Sequence, residues 1–78
     1  MGTTLDHQFV TSEAYPAQGV WFEDNGSIVC RWWWEESSQE LVVRYGSETV
    51  RQRVARGENE DAWREALSAQ ALELVGRA

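Results

Sequence analysis

Few side chains in this 78-residue chain are of a type that does covalent or metal chemistry, and they lie far apart. His7 is the one imidazole and Cys30 the one thiol. A disulfide needs a second cysteine, and a four-ligand zinc site needs more nitrogen and sulfur donors than these two supply. His7 has no nucleophile or carboxylate at motif spacing. Glu35 and Glu36 are adjacent carboxylates, but neighbours on a polar loop are not held at the fixed geometry that acid–base work requires. No Gly-rich phosphate loop and no nucleophile elbow occurs. These residues point away from an enzyme and imply no metal ion or cofactor.

What remains is binding chemistry. The chain carries 13 Asp and Glu against 7 Arg and no Lys, a net charge of −6. Glu58, Glu60, Asp61 and Glu65 form one local cluster; Glu23 with Asp24 and Glu35 with Glu36 occupy two loops. Closely spaced carboxylates can imitate a nucleic-acid backbone and fill a basic groove on another protein. Small acidic inhibitors of nucleic-acid enzymes, many of them phage-encoded, act this way. The first expectation is therefore a non-catalytic module that makes protein–protein contact with a basic surface, as an inhibitor or adaptor. A second set, Phe22, Arg31, Trp33, Arg44, Arg51 and Arg53, suits phosphate or single-stranded nucleic acid, since Arg recognises oxyanions bidentately and aromatic rings stack on bases. The negative net charge opposes that alternative. A third is a structural subunit of a larger assembly.

The elements that position these groups follow from patterning. Val20, Trp21 and Phe22, then Asp24-Asn25-Gly26, then Ile28 through Trp34 read as a hairpin with a two-residue loop at Asn25-Gly26. A polar loop at 35–39 leads to strands at 41–45 and 48–54. Residues 1–16 are mixed, with a short edge strand at 8–12 as one arrangement. Asn59 suits a helix N-cap, Glu60 and Asp61 the positive end of the helix dipole, and Gly76 the stop. Trp63, Ala66, Leu67, Gln70, Ala71, Leu74 and Val75 form one helical stripe, with Ser68 off it and Leu72 opposite. The expected fold is α+β in one domain over 1–78: an antiparallel meander of three to four strands within 17–54, packed on one C-terminal helix at 60–75.

That hairpin assigns faces. Trp21 falls opposite Cys30, Gly19 opposite Trp32 and Ala17 opposite Trp34, so the smallest residues meet the largest. Ile28, Cys30, Trp32 and Trp34 share a core face with Leu41, Val43, Tyr45, Val50 and Val54. Val20, Phe22, Val29, Arg31, Trp33, Val42, Arg44, Arg51 and Arg53 take the other face. Arg31 then lies opposite Arg44, an unfavourable pairing that Glu40, a terminal residue or a bound anion would relieve. A competing arrangement folds residues 1–16 over this face, with Phe9, Val10 and Tyr15 as cover.

A core of this size supplies only about 3–5 kcal/mol alone, which favours a homodimer or a partner-stabilised state. No unbroken apolar run is longer than Trp32-Trp33-Trp34, against the roughly 18 residues of a membrane span. The first ten residues lack the basic start and apolar stretch of an export signal, so a cytoplasmic location is expected. The Met1-Gly2 start fails as a myristoylation signal because Asp6 stands where Ser or Thr is needed.

Overall fold

The computed structural model describes residues 5–10 and 14–77. The Met1-Gly2 start and the end of the 8–12 stretch lie outside the described residues. Five strands, β1 (Leu5–Phe9), β2 (Gln18–Glu23), β3 (Ile28–Glu35), β4 (Glu40–Tyr45) and β5 (Glu48–Arg53), precede one helix, α1 (Glu60–Arg77). The strands form one antiparallel sheet in sequence order, and α1 packs across β4, β3 and β2. The fold is α+β with five strands, where three to four were expected. The added strand is β1, at 5–9 and not 8–12. Its register pairs His7 with Trp21 and Phe9 with Gly19, so Leu5, His7 and Phe9 alternate onto the helix-facing side. Counted as polar, His7 hides that alternation in the sequence.

Two departures from the expected β2–β3 hairpin cancel each other. The loop has three residues, Asp24, Asn25 and Gly26, because the Glu23 N–H donates to the Ser27 carbonyl at 2.9 Å and the Gly26 N–H to the Glu23 carbonyl at 2.9 Å. Gly26 alone in this loop has positive φ, 84°, so the bend is a type I turn closed by a left-handed glycine and not a primed turn. Asn25 contributes through its side chain, whose Oδ1 accepts from the Ser27 N–H at 2.9 Å. Phe22 therefore pairs with Ile28, and a bulge then restores Trp21 opposite Cys30 and Gly19 opposite Trp32. Val29 is the extra residue. The tryptophan assignment survives, but Ile28 moves: it shares the outer face with Phe22 and is 47% exposed, not part of the core.

The inner face is the core. Trp32 and Trp34 are each 1% exposed and meet Leu41, Val43, Cys30, Trp63, Leu67, Ala71 and Leu74. Each of the buried Leu and Val side chains contributes about 1.5–3 kcal/mol on burial. The register explains why the position facing Trp32 is glycine, since a Cβ on Gly19 would sit 2.7 Å from the Trp32 ring. Two indole donors reach the backbone: Trp34 Nε1 donates to the Val54 carbonyl at 2.9 Å and Trp21 Nε1 to the Ser68 carbonyl at 3.2 Å, while the buried Trp63 Nε1 has no partner among the described residues.

Helix α1 starts as expected, with Asn59 Oδ1 accepting from the Ala62 N–H at 3.0 Å. Its buried stripe differs in two places. Ala66 is exposed, while Ser68 is buried, because the sheet lies slightly round the helix from the expected arc. Gly76 does not stop the helix, which continues to Arg77.

Candidate functional site: a groove beside the helix and a cationic sheet face

A five-stranded sheet is roughly 20 Å wide and one helix about 10 Å across, so α1 leaves part of the inner face open. The gap lies on the β1 side. It is a groove of about 440 Å³ between His7 and Trp21 on the sheet and Glu65, Ala69, Leu72 and Glu73 on the helix. Leu72, expected opposite the apolar stripe, is half-buried here. His7 forms the floor. Its ring stacks on Trp21 at 4.6 Å between centroids and meets Phe9 edge-on at 4.4 Å. Trp32 Nε1 donates to His7 Nε2 at 3.2 Å, which places the imidazole proton on Nδ1 in the neutral ring. Burial lowers the His7 pKa below its ordinary value, and the Glu65 carboxylate opposes that shift. Protonation would also set an N–H against the Trp32 donor.

Serine, histidine and a carboxylate in one groove raise the question of a nucleophile. Ser68 Oγ lies 3.0 Å from His7 Nδ1 and 3.1 Å from Nε2. An oxygen nearly equidistant from both nitrogens cannot lie along either lone-pair direction without striking the carbon between them; it sits over the ring. Ser68 is 2% exposed, and it lies mid-helix, where backbone N–H groups are committed to the helix and cannot form an oxyanion hole. The arrangement locks helix to sheet and lines the groove. His7 and Ser68 were passed over in the sequence. The available signal was a small polar residue, Ser68, whose neighbours three and four positions on are Ala71 and Leu72.

The outer face carries the expected arginines, and they divide into two groups. Glu35 belongs to β3 and not to the following loop. Its Oε1 accepts from Trp33 Nε1 at 3.2 Å, and its Oε2 accepts from Arg51 at 2.9 Å. Arg51 also lies 3.5 Å from Glu40. The guanidinium of Arg51, ahead of the other contacts, holds the Glu35 carboxyl below its usual range. Tyr15 lies against Trp33 at 6.0 Å, so the N-terminal segment contributes one ring of cover while Phe9 turns to the inner face. Val42, flanked across the strands by Trp33 and Arg51, is 0% exposed; the ring and the Arg51 stem shield it. Phe22 is half-buried and Arg53 exposed. Arg31 and Arg44 form the second group. They are cross-strand partners as expected, and both are exposed. Glu40 is engaged with Arg51, so it does not relieve them.

The acidic residues are not one patch. Glu23 and Asp24 lie at one end of β3, Glu35 and Glu36 at the other. Glu58, Glu60 and Asp61 surround the start of α1, and Glu65 lies one turn on at the groove rim. Glu60 pairs with Arg64 at 3.0 Å. Among the described residues no three His, Cys, Asp or Glu side chains converge where a metal ion would sit. Cys30 lies opposite Trp21, and burial pushes its thiol up to about 11, which keeps it in the unreactive thiol form. No described helix is long and apolar enough to cross a membrane. Compared with protein families, with curated proteins and with solved structures, the chain matches none.

Proposed function

We propose that this chain is a small non-catalytic binding module that acts by protein–protein contact and sets its acidic helix side against a basic surface of its partner, as an inhibitor or adaptor of the kind that phages encode. The observation that supports this reading is the charge along α1. Between Glu60 and Gly76 the helix has four acids, Glu60, Asp61, Glu65 and Glu73, and one base, Arg64. Arg64 is turned inward, donating to the Pro16 carbonyl at 2.8 Å as well as to Glu60. Asp61 and Glu65, one turn apart, are exposed, and Glu65 rims the groove whose walls include Trp21 and Leu72. Acidic rim and apolar walls together suit a basic segment carrying a hydrophobic anchor.

Affinity capture from native extract, with the wild-type chain and an Asp61→Arg/Glu65→Arg variant as baits, tests the reading. The expected result is a partner retained at about 0.05 M salt, released by about 0.5 M, and absent from the variant, because exposed charge pairs are screened over that range. Salt-independent capture by both baits would overturn the acidic surface. A defined oligomer with no partner would identify a structural subunit or a homodimer instead. Single-stranded nucleic acid has less support: Trp33, the ring expected to stack on bases, is engaged with Glu35 and Tyr15.

A further inference from the structure

We infer that Arg31 and Arg44 form a binding site for a phosphomonoester group on the outer face of the sheet, independent of the acidic side of the helix. The register sets these two arginines directly opposite one another on adjacent strands, so their side chains leave the sheet on one face. Like charges in that position repel, so an unsatisfied pair is an arrangement that an anion stabilises. Among the described residues neither side chain makes an ion pair or hydrogen bond, in contrast to Arg51, whose guanidinium Glu35 and Glu40 neutralise. Both line one shallow groove of about 250 Å³, together with Ile28, Val29, Tyr45 and Gly46.

The shape of the groove narrows the ligand. Two guanidiniums match the charge of a phosphate dianion and offer forked donors to its oxygens. The bulge at Val29 turns Ile28 outward onto the same face, where its exposed side chain makes an aliphatic shoulder beside the cations. A phosphate carried on a carbon group fits that juxtaposition better than a bare ion: the oxyanion at the arginines, the carbon part against Ile28. A phosphodiester chain fits less well, because the site has one charge pair and its one ring, Tyr45, packs against the core. The phosphomonoester can belong to a small metabolite-sized molecule or to a phosphorylated side chain.

Titration followed by NMR of the arginine Nε–H resonances tests the site, with inorganic phosphate, phenyl phosphate, a phosphoserine hexapeptide and a phosphodiester-only oligodeoxynucleotide as probes at fixed ionic strength. Saturable shifts confined to Arg31 and Arg44 are expected, with phenyl phosphate binding more tightly than inorganic phosphate. Arg31→Ala or Arg44→Ala should each weaken phenyl phosphate by about tenfold or more, the loss of a charge-assisted hydrogen-bonding partner. Arg56→Gln, removing a guanidinium that lies over the Trp63 ring, should leave affinity unchanged. Preference between phenyl phosphate and the peptide identifies the source of the phosphate. Uniform, non-saturating shifts at every exposed arginine would reduce the effect to screening and overturn the site. Tightest binding by the oligonucleotide would overturn the monoester assignment. A thermal melt adds an independent readout: phosphate should raise the wild-type midpoint, whereas Arg44→Ala should melt higher than wild type in phosphate-free buffer and ignore phosphate. A lower midpoint for Arg44→Ala in that buffer would show that the pair is not repulsive and would remove the premise.

Discussion

Strand β3 places Cys30, Trp32 and Trp34 on one side of the sheet and Arg31, Trp33 and Glu35 on the other, so neighbouring residues along a single strand belong to two different kinds of surface. On the inner side Trp32 and Trp34 are held by carbon contact from both the sheet and α1, and their single donors are satisfied by His7 and by backbone. On the outer side Trp33 is held by one carboxylate and one neighbouring ring, Arg51 is ion-paired, and Arg31 and Arg44 are left facing each other. Burial is additive and insensitive to salt; the polar pairings are local, exposed and screened. The inner side therefore carries most of the fold's stability, and the exposed side chains of the outer side can change at small cost to it.

Substitutions on the two sides should separate sharply. Trp32→Ala should cost about 3–5 kcal/mol through lost burial and a residual cavity, a large part of the about 5–15 kcal/mol that stabilises a typical domain; urea denaturation should show no cooperative transition or a greatly lowered midpoint. Gly19→Ala comes next, at about 1–3 kcal/mol, since the added methyl would lie 2.5 Å from His7 Nε2 and 2.7 Å from the Trp32 ring; loss of the upfield or downfield displaced Trp32 indole resonance would accompany it. His7 sets a pH dependence smaller than either. Its folded-state pKa lies below the ordinary 6.5, so the unfolded chain binds more protons in that window. Stability should be fullest above 6.5 and fall as pH drops toward the folded-state value. His7→Phe should flatten the melting temperature between about pH 7.5 and 5.5, while Glu65→Gln, which removes the opposing charge, should steepen it. A flat wild-type profile would mean that His7 is not differentially buried. The smallest effect is expected from Trp33→Ser, about 1 kcal/mol or less, with the fold intact. Sedimentation of this variant reads whether Trp33 supports assembly; an unchanged mass removes it from any interface. A Trp33→Ser cost equal to that of Trp32→Ala would erase the distinction between the faces.

Alternation was enough to read the inward tryptophans and the Arg31–Arg44 pair from the sequence, and residue type at Asn59 was enough to read the helix cap, since each depends on short spacing. Three features were not legible. Strand β1 depends on His7 behaving as an aromatic ring stacked on Trp21, a property that its residue type does not announce. The position of Ser68 depends on the rotation of α1 over the sheet, which packing decides and periodicity leaves open by about one residue. The loop at Asp24 to Gly26 and the bulge at Val29 depend on pairing energetics along the whole hairpin; Asn-Gly fits both a two-residue and a three-residue bend, and Val29 resembles any other strand residue. The groove beside α1 was hidden for the same reasons, as it is the joint product of β1 and the helix rotation.

The extra residue in β3 has a consequence for tolerance to deletion. Val29 stands outside the ladder: Ile28 already has Phe22 as its partner and Cys30 has Trp21. Excising Val29 alone would join those two pairs into an unbroken ladder and leave every later side chain in phase, whereas removing Arg31 from the same strand would throw Trp32 and Trp34 toward water. One position near the start of the central strand is thus dispensable to the topology, and its retention adds a local bulge beside two arginines.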